Sequence, residues 1–169
     1  MKYQMDLSEE CYRERRNKQI DVVLMNIAME IASLSHAIKA KVGALIVDSD
    51  KNIISCGFNG TPAGFDNIAE YTLPDGTLKT KPETLHAESN AIAKIAKSTQ
   101  SSKDAIMYIT LSPCMNCAKL ISNAGIREVI YKNEHDDVTG LDLLRKCGIT
   151  VRKCETNHKD QHKMENTEL

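Results

Sequence analysis

Residues 105–125 read Ala105-Ile106-Met107-Tyr108-Ile109-Thr110-Leu111, then Ser112-Pro113-Cys114-Met115-Asn116-Cys117, then Ala118-Lys119-Leu120-Ile121-Ser122-Asn123-Ala124-Gly125. An apolar run of strand length passes through Ser112-Pro113 into a helical segment, Cys114 to Ala124, which closes on Gly125 at a C′ position. Pro113 suits the first turn of a helix, where its missing N–H costs nothing. Cys114 and Cys117 are three apart, so their side chains emerge on one face of that first turn. The positive end of the helix dipole favours thiolate there.

The same alternation continues on both sides. Downstream, Arg127 to Tyr131 reads as a strand, Val138 to Cys147 as a helix ended by Gly148, and Ile149 to Val151 as the start of a last strand. Upstream, Lys41 to Asp48 contains the buried-strand run Val42-Gly43-Ala44-Leu45-Ile46-Val47. Turn residues Asp48 to Asn52 follow it, and then a second strand, Ile53 to Phe58, as hairpin partner. Gln19 to Ala37 carries Ile20, Val23, Leu24, Ile27, Ile31 and Leu34 at helical spacing, and Ala87 to Lys97 carries Ala91, Ile92 and Ile95. Helices of this length between strands predict an α/β sandwich with a mixed sheet. Asn59 to Thr84 reads as one long loop, and loops of that length inside a domain are usually functional or mobile. Residues 1–154 are expected to form a single domain, and the polar segment 155–169 a disordered tail.

Composition bounds the function. At 169 residues and 41% apolar content, the chain can bury a real core. A net charge of −1 supplies no field to draw it onto nucleic acid or membrane, and two Phe with no Trp make a poor stacking platform for single strands. The polar N-terminus lacks the apolar core of a signal peptide, and no apolar run approaches the ~18 residues of a membrane span. Six Cys without a secretion signal read as intracellular thiols, so a cytoplasmic location is expected.

A second short motif, Leu85-His86-Ala87-Glu88, completes the first. His86 and Glu88 are two apart and converge only if His86 lies at a helix start with non-helical backbone. One imidazole and two thiolates would hold zinc and leave its fourth tetrahedral position open. Such a site is formally neutral, yet still lowers the pKa of bound water. Glu88, not itself a ligand, would carry the water proton. The competing readings are a structural zinc knuckle or two core thiols for the Cys pair, and an exposed helix carboxylate for Glu88. His-x-Glu followed by Pro-Cys-x-x-Cys is the signature of zinc-dependent nucleobase deaminases. The other histidines carry less: His36 reads as a helix-end residue, His135 as a loop residue, and His158 and His162 fall in the polar tail. Cys11, Cys56, Cys147 and Cys154 read as ordinary thiols, and Arg13, Arg15, Arg16 and Lys18 as a solvated helix face.

With these motifs the chain resembles the deoxycytidylate (dCMP) deaminases of the cytidine deaminase superfamily, phage members in style, over about residues 19–153. The resemblance is carried by Lys41 to Val47, Gly57-Phe58-Asn59-Gly60-Thr61-Pro62-Ala63-Gly64, His86 to Ile92, Tyr108 to Cys114, and Cys117 to Ile126. It implies a three-layer α/β/α sandwich around a five-stranded mixed sheet. It also implies dCMP as substrate, dUMP and ammonia as products, and homo-oligomers, often hexamers, some switched on by dCTP and off by dTTP. Carried over, His86, Cys114 and Cys117 match the zinc ligands and Glu88 the proton shuttle. Asn59 matches a residue holding the deoxyribose hydroxyl, and Asn59 to Gly64 a nucleotide-contacting segment. Ala87 N–H and the Ser112 carbonyl are expected at the base edge; Lys39, Lys41, Gly60, Thr61 and Gly64 are the phosphate candidates.

Three departures stand out. Phage members with a second zinc use extra His and Cys before the His-x-Glu motif; residues 66–84 contain neither, so one zinc per chain is expected. An Arg pair common before the first strand is replaced by Lys39-Ala40-Lys41, and residues 71–81 are shorter than in several regulated members. The alternatives are a deaminase of another free cytosine nucleotide such as dCTP, a tRNA adenosine deaminase, and a non-catalytic zinc module. A polynucleotide editor would want the basic, aromatic surface that this chain lacks.

Overall fold

Strand β1, Gly43–Val47, sends Ala44 and Ile46 to one side and Leu45 and Val47 to the other, and all four are fully buried. Apolar residues on both faces require cover on both faces. The computed structural model describes residues 9–155. In it β1 lies between β2 (Ile53–Phe58) and β5 (Ile106–Leu111), antiparallel to each. Strands β6 (Glu128–Asn133) and β7 (Thr150–Lys153) continue the sheet in parallel, giving the order β2-β1-β5-β6-β7. Helix α1 (Glu9–Ser33) covers one face through Leu24, Met25 and Ala28. Helices α2 (Ala87–Ile95), α3 (Met115–Asn123) and α4 (Thr139–Lys146) cover the other through Ala91, Ile95, Ala118, Ile121, Leu141 and Leu144. This is the three-layer sandwich with a five-stranded mixed sheet. The parallel crossovers β5-α3-β6 and β6-α4-β7 bring α3 and α4 to the carboxyl ends of β5 and β6.

Two local expectations are corrected. Helix α1 already runs at Glu9, the first described residue, well before Gln19, and ends at Ser33, not Ala37. Its first turns carry Glu9 and Arg13, and Glu14 and Lys18, at i,i+4 spacing, a charge pattern that supports helix without apolar periodicity. Val23 and Leu34 were read onto the apolar stripe, yet are 52% and 59% exposed; Leu34 lies past the helix end. The second correction concerns residues 59–84, which carry a small hairpin, β3 (Glu70–Thr72) with β4 (Leu78–Thr80). Strands of three residues are too short to announce themselves by alternation. Their turn is closed by the Leu73 N–H on the Thr77 carbonyl (2.8 Å), with Gly76 at φ +83°.

A buried ionic group binds α1 to the sheet. Asp21 accepts from the Tyr108 hydroxyl and from Arg152, each at 2.6 Å, and Arg152 also donates to Glu128 at 2.7 Å. Burial, with Asp21 accepting from its hydroxyl, pushes Tyr108 well up. No helix among the described residues is long and apolar enough to cross a membrane, and the six cysteines among them form no disulfide with one another. The expected tail, with His158 and His162, lies outside the described residues apart from Glu155.

Candidate active site

Two helix starts meet beyond the end of β5. Cys114 is the N-cap of α3 (φ −70°, ψ 170°) and Cys117 its third residue. Pro113 therefore precedes the helix instead of occupying its first turn. His86 is the N-cap of α2 (φ −81°, ψ 155°), extended as its spacing to Glu88 demands. Backbone bonds between Leu85 and Gly60, 2.8 and 3.0 Å, set the direction from which His86 arrives. The Asn90 amide on the Phe58 carbonyl and the Ser55 hydroxyl on the Ala91 carbonyl hold α2 against β2. Gly57 permits this approach, since a Cβ there would stand 2.3 Å from the Ala87 carbonyl. On the other side, a Cβ on Gly140 of α4 would stand 2.1 Å from the Pro113 carbonyl, so α4 rests directly on the segment that carries Cys114.

The His86 Nδ1 lies 3.4 Å from Cys117 Sγ and 3.7 Å from Cys114 Sγ, and all three donor atoms lie within 4.8 Å of one another. Zinc bonds of about 2.0–2.1 Å to nitrogen and 2.3 Å to sulfur, at a tetrahedral angle, put N and S roughly 3.6 Å apart. The donor set fits that ion, in both chemistry and spacing. Hydrogen bonds from Cys117 and His86 hold Cys114 down at about 3. Cys117 is pushed up, because it donates to Cys114 and then because it is buried. His86 is raised by its bond to Cys114. Glu88, second residue of α2, is 3% exposed, and burial raises its carboxyl above the ordinary range.

A pocket of about 180 Å³ opens on these groups. Of the residues expected at the substrate, Asn59, Ala87 and Ser112 all line it, as does Lys39. The Ala87 N–H belongs to the first turn of α2 and has no intrahelical partner. The Asn59 side chain accepts from the Val42 N–H and donates to the Ala40 carbonyl, each at 2.8 Å, which leaves one amide hydrogen uncommitted. Lys41, Gly60, Thr61 and Gly64 fall outside the lining. The Gly60 N–H is spent on Leu85, the Thr61 hydroxyl on the Asp66 carbonyl, and the Lys41 ammonium reaches the Ser33 carbonyl at 3.5 Å. Glu70, Thr80, Thr84 and His135 line the pocket although the sequence reading did not single them out for it. The hairpin brings the first two, and only its pairing could have revealed them. Glu70 is 6% exposed and accepts from the Ile38 and Lys39 N–H groups at 3.2 Å.

The fold and this site define an α/β enzyme class with a His-Cys-Cys metal corner and a buried carboxylate. Residues 18–133 match the family described as cytidine and deoxycytidylate deaminase zinc-binding region. The chain belongs to that family. A deoxycytidylate deaminase of Enterobacteria phage T4 is 32% identical, covering 76% of this chain and 86% of the relative. The human deoxycytidylate deaminase is 39% identical over 76% of each. The crystal structure of dCMP deaminase from the cyanophage S-TIM5 in complex with dCMP and dUMP is 40% identical and superimposes with a TM-score of 0.74, covering 80% of this chain and 96% of that one.

Proposed function

We propose that this protein hydrolyses dCMP to dUMP and ammonia with one zinc per chain, feeding thymidylate nucleotide synthesis. The observation that carries the reading is the convergence of His86 Nδ1, Cys114 Sγ and Cys117 Sγ, with His86, Cys114 and the buried Glu88 lining one pocket. The likeness to a structure holding dCMP and dUMP supports the substrate. When bound by these three residues, zinc supplies a Lewis acid that makes water acidic enough to act as a nucleophile near neutral pH. Glu88 does the proton work: it takes one proton from the attacking water and gives it to ring N3, then takes the remaining proton of the hydroxyl added at C4 and delivers it to the amino group, which leaves as ammonia as the C4–N bond breaks. Its burial suits that task, since a carboxyl raised above its ordinary range both accepts and returns protons. The Ala87 N–H and the Ser112 carbonyl meet the base edge, and the spare Asn59 amide hydrogen meets the sugar hydroxyl.

Residues 1–154 make up the single catalytic domain in this reading, and the enzyme works in the cytoplasm as a homo-oligomer, hexameric by resemblance. Exposed apolar side chains support assembly: Leu34, Ile38, Phe65 and Ile68 are 58–75% exposed. Activation by dCTP and inhibition by dTTP belong to the same resemblance. Incubating zinc-replete protein with dCMP, CMP, dCTP and deoxycytidine, and following ammonia release, tests the substrate. Preferred release from dCTP would replace dCMP in the reading, and release from none would remove it. Repeating the dCMP saturation curve with dCTP and dTTP tests the regulation.

A further inference from the structure

Two donors that line the pocket, the Lys39 ammonium and the His135 ring, have no protein acceptor among the described residues. Lys39 precedes β1 and His135 follows β6, and β1 and β6 are the two sheet neighbours of β5. The two residues therefore flank the strand end from which the metal corner hangs, and both line the pocket. Each is held by its backbone. Glu70 accepts the Lys39 N–H at 3.2 Å, and the buried Ser112 hydroxyl accepts the His135 N–H at 2.8 Å. Ser112 is two residues before Cys114, a span of at most ~7 Å, so His135 is fixed to the same segment as a metal-site sulfur. The ring is oriented too. His135 Nδ1 accepts the Asp137 N–H at 3.0 Å, which in the neutral imidazole leaves the proton on Nε2 as a donor. Among the described residues neither that Nε2 nor the Lys39 ammonium donates to a protein acceptor, and the Glu70 carboxylate is committed to backbone N–H groups.

We propose that His135 is a substrate-binding residue that contacts the 5′-phosphate of the nucleotide, with Lys39 on the facing wall and Ser112 as its positioning residue. This rests on the pocket being the dCMP site. An oxyanion held between two donors from separate walls fixes the far end of the substrate, while the base is held at the metal corner. The phosphate thus becomes the group by which the pocket tells nucleotide from nucleoside.

The test uses zinc-replete full chain. Calorimetry measures binding of dUMP and of deoxyuridine, and steady-state kinetics compare dCMP with deoxycytidine. His135→Ala is expected to weaken dUMP binding and raise KM for dCMP by about tenfold to a hundredfold, the range for one hydrogen bond to a charged group, with a clearly smaller loss for deoxyuridine. His135→Gln, which keeps an N–H donor, should recover part of the loss. Ser112→Ala should move the dUMP-to-deoxyuridine ratio in the same direction by less. Equal loss for nucleotide and nucleoside, or no loss, overturns the assignment while leaving the dCMP reading intact. A wild-type protein that neither binds dUMP nor turns over dCMP overturns both. Equal zinc content across the variants keeps loss of the metal site from passing as loss of a phosphate contact.

Discussion

His86 Nδ1 stands 3.4 Å from Cys117 Sγ, although 31 positions separate the two residues. Neither is held there by its own helix. The Gly60–Leu85 bridge directs one chain segment to the meeting point, and the close approach of Gly140 to Pro113 directs the other. The metal corner is a property of these supports as much as of its three donors, and the following predictions separate them.

Purified protein should carry close to one zinc per chain by elemental analysis. Cys114→Ser should lose most of it, because a hydroxyl is a poor replacement for a thiolate. Two tightly held zinc ions per chain would end the single-site reading.

Glu88→Gln keeps the size of the side chain and removes the proton carrier. Turnover of dCMP should fall by at least ~10²-fold with zinc content unchanged. Near-normal turnover in a zinc-replete variant would assign the proton work to another group.

Gly140→Ala places a Cβ 2.1 Å from the Pro113 carbonyl, so α4 or the Cys114 segment must move. A cost of roughly 1–3 kcal/mol is expected for such overpacking, together with weaker zinc retention against a chelator. Gly60→Ala, whose added Cβ meets nothing within 4 Å, should cost within about 0.5 kcal/mol. Indistinguishable melting and chelation curves for the Gly140 variant and the wild type would disprove the packing argument.

Asp21→Ala removes the acceptor shared by Tyr108 and Arg152. Breaking a fully buried pair costs ~3–5 kcal/mol. Here the Arg152 side chain is 40% exposed and can rehydrate, so roughly 2–3 kcal/mol is expected in denaturant unfolding. A change below about 0.5 kcal/mol, the level of an ordinary surface substitution, would mean that the group does not bind α1 to the sheet.

Much of the site was legible before any coordinates. The offset of His86 from Glu88 required a non-helical backbone at His86, and it is extended there, with ψ 155°. The Cys spacing required one helix start, and both sulfurs are at it. The strand and helix alternation predicted an α/β sandwich with a mixed sheet, and the sheet is mixed, antiparallel at β2-β1-β5 and parallel at β5-β6-β7. The hairpin at 70–80 was not legible, because three-residue strands leave no period to read. The turns of α1 before Gln19 were not legible because charge spacing, not apolar periodicity, supports them.

What the sequence determined by itself is therefore what short-range chemistry controls: which residues can bind metal, which backbone conformation each needs, and which segments alternate. Tertiary structure alone decided the rest. It chose Nδ1 of His86 as the nitrogen facing the sulfurs, spent the Gly60 N–H on Leu85 rather than leaving it for a ligand, and raised His135 from a loop residue to a wall of the pocket. These outcomes depend on β1 lying between β2 and β5 and on β6 lying beside β5. Pairing between distant strands is set by the burial of both sheet faces at once, which no local spacing encodes.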